Sequence, residues 1–141
     1  MTSKVHTIPL SASFESIVNL LIKHKISGAP VVDSRGEVVG LISERDLFYH
    51  LFPKQEEFYK DIEYYMDHNH LEKEAVRVRK LKAEKLMRKE VISIGPDEHV
   101  LKACALLLLH RIRRLPVIEN GKLVGIVTTN NLYKNFLRSL V

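Results

Sequence analysis

Few residue groups in this chain have chemistry to offer, and two of them answer each other. Ser43-Glu-Arg-Asp46 closes the stretch "GLISERD" (40–46), and Thr128-Thr-Asn-Asn131 closes its near-copy "GIVTTNN" (125–131). The hydroxyl is kept, while the carboxylate has become an amide. A hydroxyl and a carboxylate three residues apart can form a capping box, with Ser43 at the helix N-cap and Asp46 in the first turn. They can equally serve a ligand, because hydrogen bonds to an ionised acceptor are the strong ones. The motif by itself is balanced between these roles. An amide at Asn131 is the weaker and less selective acceptor.

Other groups are weighed in the same way. Arg113-Arg114, just before Pro116, could grip phosphate groups bidentately, although exposed arginine pairs are most often a solvated face. The run Arg77, Arg79, Lys80, Lys82, Lys85, Arg88 and Lys89 meets a single acid, Glu84. A solvated helix face is favoured there over a nucleic-acid patch, since no aromatic or recognition motif accompanies it. Asp67-His-Asn-His70 suggests a metal, but histidines at i and i+2 do not share a helical face. No further ligand stands at suitable spacing, so a solvated turn is favoured and no metal is predicted. His24 and His110 fall near helix ends, where a cation suits the dipole. Neither a phosphate-binding glycine loop nor a nucleophile motif is present. Binding is therefore expected rather than catalysis.

The elements that position these groups come as a repeat. "IKHKISGAPVVDSRGEVVGLISERDLF" (22–48) lies over "LLHRIRRLPVIENGKLVGIVTTNNLY" (108–133), with the length difference in the turn. Upstream, Val5–Ile8 lies over Val91–Ile94, and Phe14–Val18 over Val100–Cys104. Each copy reads β-α-β-β-α. A short alternating strand leads, Ser11 or Asp97 is a plausible N-cap, and Phe14, Ile17, Val18 and Leu21 recur at helical spacing. An apolar strand follows Pro30 or Pro116. "DSRG" or "ENG" then turns the chain, Asn120-Gly121 being a strong hairpin signal. A right-handed crossover makes the first two strands of each copy parallel.

One copy is too small to bury both faces of its sheet. The expected fold is therefore α/β (α+β), with two tandem repeats packed sheet to sheet in pseudo-twofold symmetry. The first repeat spans 1–52 and the second 81–141. Between them, 53–80 reads as a helical insert, with Phe58, Ile62 and Tyr65 on one face and a second helix from Leu71.

Composition agrees with one small module. The 141 residues are 45% apolar with net charge +5, which permits anionic partners without naming them. No apolar run approaches the roughly 18 residues of a membrane span. The N-terminal residues lack a signal-peptide layout, and the single Cys104 lies in an apolar run as a small core residue. A cytoplasmic setting is the default expectation.

With "ISGAPVVDSRGEVVGLISERDL", "IRRLPVIENGKLVGIVTTNNL" and the duplicated element order in view, the chain resembles the CBS domain family over nearly its whole length except the insert. The resemblance implies a Bateman module: two copies with two clefts between them, often dimeric, commonly binding an adenosine-containing ligand and regulating a partner. One departure stands out. The lead-in "KAEKLM" of the second copy has no counterpart in the first, so either the chain is a piece of something longer or the insert substitutes for that helix.

The resemblance also assigns roles. Ser43 and Asp46 would hold a ribose, facing the strand starts of the other copy. There Ile92 and Ile112 would flank a purine, and Arg113 and Arg114, with Arg45, would take phosphates. The weaker second site would comprise Thr128, Asn131, His6, Ile26 and Gly28, with no fixed positive charge. One competent site for an adenine nucleotide (AMP, ADP or ATP) is expected. The alternatives are a ligand-free dimerisation or partner-docking module, and, less favoured, a nucleic-acid binder using residues 77–89.

Overall fold

Each repeat is organised on an apolar strand that runs through a buried proline, Pro30 or Pro116. The computed structural model describes residues 5–52 and 62–141, without the side chains of residues 64, 65, 68, 70 and 131. In the first repeat, β1 (Ile8–Pro9) pairs parallel with β2 (Gly28–Val32), and β2 pairs antiparallel with β3 (Val38–Ser43). The crossover is α1 (Phe14–Lys23), which buries Ile17 and Leu21, one turn apart. Helix α2 (Glu44–Leu51) leaves β3 directly. In the second repeat, β4 (Arg114–Glu119) and β5 (Lys122–Thr128) form the hairpin, and a lone parallel bridge joins Ile94 to Val117.

Both leading strands are shorter than the alternation predicts. Pro9 has no N–H to extend the ladder, and its carbonyl instead accepts from Ala12 in a turn. That turn also moves the helix start. The N-cap is Ser13, whose hydroxyl accepts from the Ser16 amide, and in the second repeat it is His99. The expectation of Ser11 and Asp97 is thereby corrected by two residues. The hairpin expectation holds: Asn120 and Gly121 both have positive φ, 53° and 81°, as a two-residue turn with matching twist requires.

The connector is ordered where it is described. It contains α3 (Ile62–Met66) and α4 (His68–Arg79), and α5 (Ala83–Leu86) follows at the head of the second repeat; Phe58 lies outside the described residues. Asp67 caps α4 through its carboxylate, which accepts from the Asn69 amide. The Asp67–His70 stretch is therefore a helix start, not a turn, and α4 begins ahead of Leu71.

The basic run is not simply a solvated face. Val78, Ala83 and Leu86 are buried in the first repeat's core with Ile8, Ile17, Val31, Ile42 and Leu47. Amides of Ala83 and Glu84 bind the carbonyls of Ala12 and Leu10. Cations and apolar residues alternate along this segment, so one edge docks while the charges remain in water. The second repeat holds its own cluster of Ile94, Ala103, Leu107, Leu115 and Val117, covered by α6 (Val100–Leu109) and α7 (Thr129–Ser139). Cys104 is buried as a free thiol. Among the described residues, no helix is long and apolar enough to cross a membrane.

Candidate functional site

The strand–helix junctions of the two repeats are built alike. The Glu44 amide binds the Ser27 carbonyl in the first, and the Thr129 amide binds the Arg113 carbonyl in the second. These equivalent bonds bring Ser43 and Asp46 to one cleft and Thr128 to another.

At Asp46 the capping box is complete. Oδ2 accepts from the Ser43 amide at 2.8 Å and from its hydroxyl at 2.9 Å, while the Ser43 hydroxyl accepts from the Asp46 amide at 3.2 Å. The structural role of the motif is therefore real. It does not exhaust the carboxylate, because Oδ1 is left out of the cap. Arg88 approaches that oxygen instead, with Nε 3.1 Å from Oδ1 and 3.3 Å from Oδ2. Asp46 is buried, a position tolerated by an acid because the charge is paired and hydrogen-bonded.

The cleft around this acid has a volume of about 410 Å³, within the usual range for small-ligand sites. Five arginines line it, Arg45, Arg88, Arg111, Arg113 and Arg114, against Glu44 and Asp46. Ile112 and Tyr49 contribute the apolar and aromatic surface. The sequence-based candidates Ser43, Asp46, Arg45, Ile112, Arg113 and Arg114 thus come together. Ile92 is not among the residues lining this cleft and packs on the second repeat's core.

Arg88, Arg111 and Tyr49 were not singled out for this cleft by the sequence. Arg88 was hidden in the basic run, since its meeting with Asp46 spans 42 residues. Arg111 aligns in the repeat with another cation, Lys25. It is the non-glycine at positive φ after α6, just as Lys25 is after α1.

The second cleft is larger, about 910 Å³, and is lined by His6, Ile26, Gly28 and Thr128 as expected. It also contains Lys25, Lys134, Arg113 and Arg114. The expectation of no fixed positive charge there is overturned. Arg113 and Arg114 stand at the boundary of the repeats and line both clefts, so the arginines do not distinguish them. What separates the clefts is the acid. Thr128 is an N-cap whose side chain makes no capping bond, and the side chain of Asn131 lies outside the described residues.

Arg114 is held between the repeats by donating to the Ser27 hydroxyl. Burial lowers its pKa from the ordinary arginine value, and Arg113 adds to this, while Glu44 and Asp46 oppose it. In the larger cleft His24 stacks on His6, with ring centroids 3.6 Å apart. Desolvation, then His6 and Lys23, hold the His24 pKa below its usual value. This favours the neutral ring at His24, which, like His110, stands at a helix C-cap as expected. Among the described residues, no group of three or more His, Cys, Asp or Glu is arranged to hold a metal.

Two similar sheets, each with a crossover helix and a helix leaving its last strand, enclosing paired clefts, define a tandem CBS module. The CBS domain family matches residues 1–52 and 83–138, and the chain belongs to it. It is 33% identical over 128 residues to the uncharacterized protein MJ1426 of Methanocaldococcus jannaschii, covering 82% of this chain and 76% of that protein. It is also similar to chloroplastic CBSX2 of Arabidopsis thaliana, 28% identical, with 95% of this chain matching 59% of that protein. A crystal structure of CBSX2 in complex with AMP superimposes with a TM-score of 0.75, covering 100% of this chain and 95% of that one. The CBS domain of a CBS domain containing membrane protein from Sphaerobacter thermophilus is 30% identical with a TM-score of 0.71, covering 94% and 82%.

Proposed function

We propose that this protein is a regulatory sensor module that binds one adenine nucleotide, AMP, ADP or ATP, in the cleft carrying Asp46. The observation that carries the reading is the joining of Asp46 to Arg113 and Arg114 in one cleft. A carboxylate suits a ribose diol, and guanidinium groups suit phosphates through bidentate bonds. Ile112 supplies an apolar wall for a purine. The likeness to CBSX2, solved with AMP, supports the same ligand class. The larger cleft has cations but no acid among its described lining residues, and we assign it the weaker site. Binding rather than catalysis is the function we assign to the chain.

Isothermal titration calorimetry with AMP, ADP and ATP tests this directly. One strong site per chain is expected, and two equal sites or no binding of any adenine nucleotide would overturn it.

We further propose that the module pairs with a second copy. A groove of about 630 Å³ between α1 and α2 is lined by Phe14, Val18, Ile22, Leu47, Phe48 and Leu51. Leu108, Leu109 and Leu137 of the second repeat are exposed too. Apolar patches of this kind mark interaction sites. Sedimentation of the wild type against Phe48→Glu should show a dimer that the charge disrupts; a monomeric wild type removes this reading.

A further inference from the structure

Asp46 has a fixed number of acceptor positions, and the fold has already used most of them. A carboxylate oxygen offers two lone-pair sites. Oδ2 is crowded, accepting from the amide and hydroxyl of Ser43 at 2.8 and 2.9 Å and from Arg88 Nε at 3.3 Å. Acceptor capacity remains on Oδ1, which the Arg88 guanidinium covers, its Nε 3.1 Å away in the ion pair. A diol bringing two O–H donors to Asp46 has to reach Oδ1, and Arg88, which lies against both oxygens, must move aside.

The two partners differ in freedom. The Asp46 side chain is 9% exposed and the Arg88 side chain 52%. The Arg88 backbone is pinned, its amide and carbonyl both bonded to Leu41 on β3 at 2.9 and 3.0 Å. A pinned backbone with a half-exposed guanidinium makes a latch that swings without unfolding anything. Where it swings matters, because Arg113 and Arg114 line the same cleft. A released Arg88 joins like charges unless the ligand brings an anion.

We propose that Arg88 is a displaceable counter-ion of Asp46 and makes this cleft selective for ligands that carry a phosphate beside a diol. The proposal rests on the nucleotide reading of the cleft. A nucleoside without phosphate breaks the Asp46–Arg88 pair and leaves the guanidinium unpaired. A nucleotide breaks the same pair and offers Arg88 a new one.

The test is calorimetric titration of adenosine and AMP into wild type, Arg88→Gln and Arg88→Lys. Removing a half-exposed ion pair changes an equilibrium by a factor of about two to five. Adenosine should bind Arg88→Gln tighter than wild type by about that factor, AMP should bind it more weakly, and Arg88→Lys should restore the wild-type order. A merely structural role would move both ligands in the same direction. If wild type binds AMP but adenosine gains nothing in Arg88→Gln, the role of Arg88 is overturned and the nucleotide reading stands. If neither ligand binds wild type or Arg88→Gln, both fall together.

Discussion

Gly28 and Arg114 share one space. A β-carbon on Gly28 would lie 2.8 Å from Nη1 of Arg114 and 2.8 Å from the Ile42 carbonyl oxygen. The first repeat leaves out a side chain where the second repeat inserts its guanidinium, and the two strand starts interlock across the boundary. Alanine at Gly28 should push Arg114 from its bond to Ser27 and strain β3. A loss of about 1–3 kcal/mol, the usual cost of overpacking, is expected in urea denaturation, together with weaker AMP binding. Unchanged stability would show that the contact is slack.

Asp46 serves the fold and, on our reading, the ligand, and its variants should separate the two. Asp46→Ala removes the reciprocal partner of Ser43 at the start of α2 and should cost about 1 kcal/mol, as lost caps do. AMP affinity should fall about tenfold or more, the scale of a charge-assisted bond. Asp46→Asn keeps the shape and should be nearer wild type in stability while binding stays weak. Stability loss with AMP affinity intact in both variants would leave the residue as a cap alone.

Leu86 lies at the head of the second repeat yet is 1% exposed in the first repeat's core. Leu86→Ala should destabilise by about 2–5 kcal/mol, as buried leucine truncations do. Leu108→Ala, on a side chain 66% exposed, should change the stability of the monomer by less than about 0.5 kcal/mol. Comparable losses in the two variants would contradict the docking of α5.

His24 carries a pH dependence of definite sign. Its pKa is lowered in the fold, by desolvation and then by His6 and Lys23. Below the ordinary histidine value of 6.5, the unfolded chain binds this proton more readily than the folded one. The stabilisation from a neutral His24 is therefore present above that pH and lost as pH falls through the folded value. The difference in melting temperature between wild type and His24→Gln should shift against the wild type from pH 8 to pH 5.5. A constant difference would remove the effect.

Much of this was legible in the residues. The repeat, the Asn120-Gly121 turn, the parallel crossover and the periodic core positions Ile17 and Leu21 are local patterns, and local patterns survive in one dimension. Ser43 and Asp46 were legible as a pair because their contact spans three residues. The helix starts were misplaced because turns closed by the Pro9 and Gly95 carbonyls consumed residues that cap statistics alone would assign to the helix.

Amino-acid order by itself determined the duplicated architecture, the capping pair at Asp46 and the absence of a carboxylate at Asn131. Tertiary structure alone decided which repeat the connector serves, that Arg113 and Arg114 stand in both clefts, and that Arg88 closes on Asp46. The physical reason is range. Periodicity and caps depend on neighbours along the chain, whereas an ion pair across 42 residues depends on where two distant segments pack together.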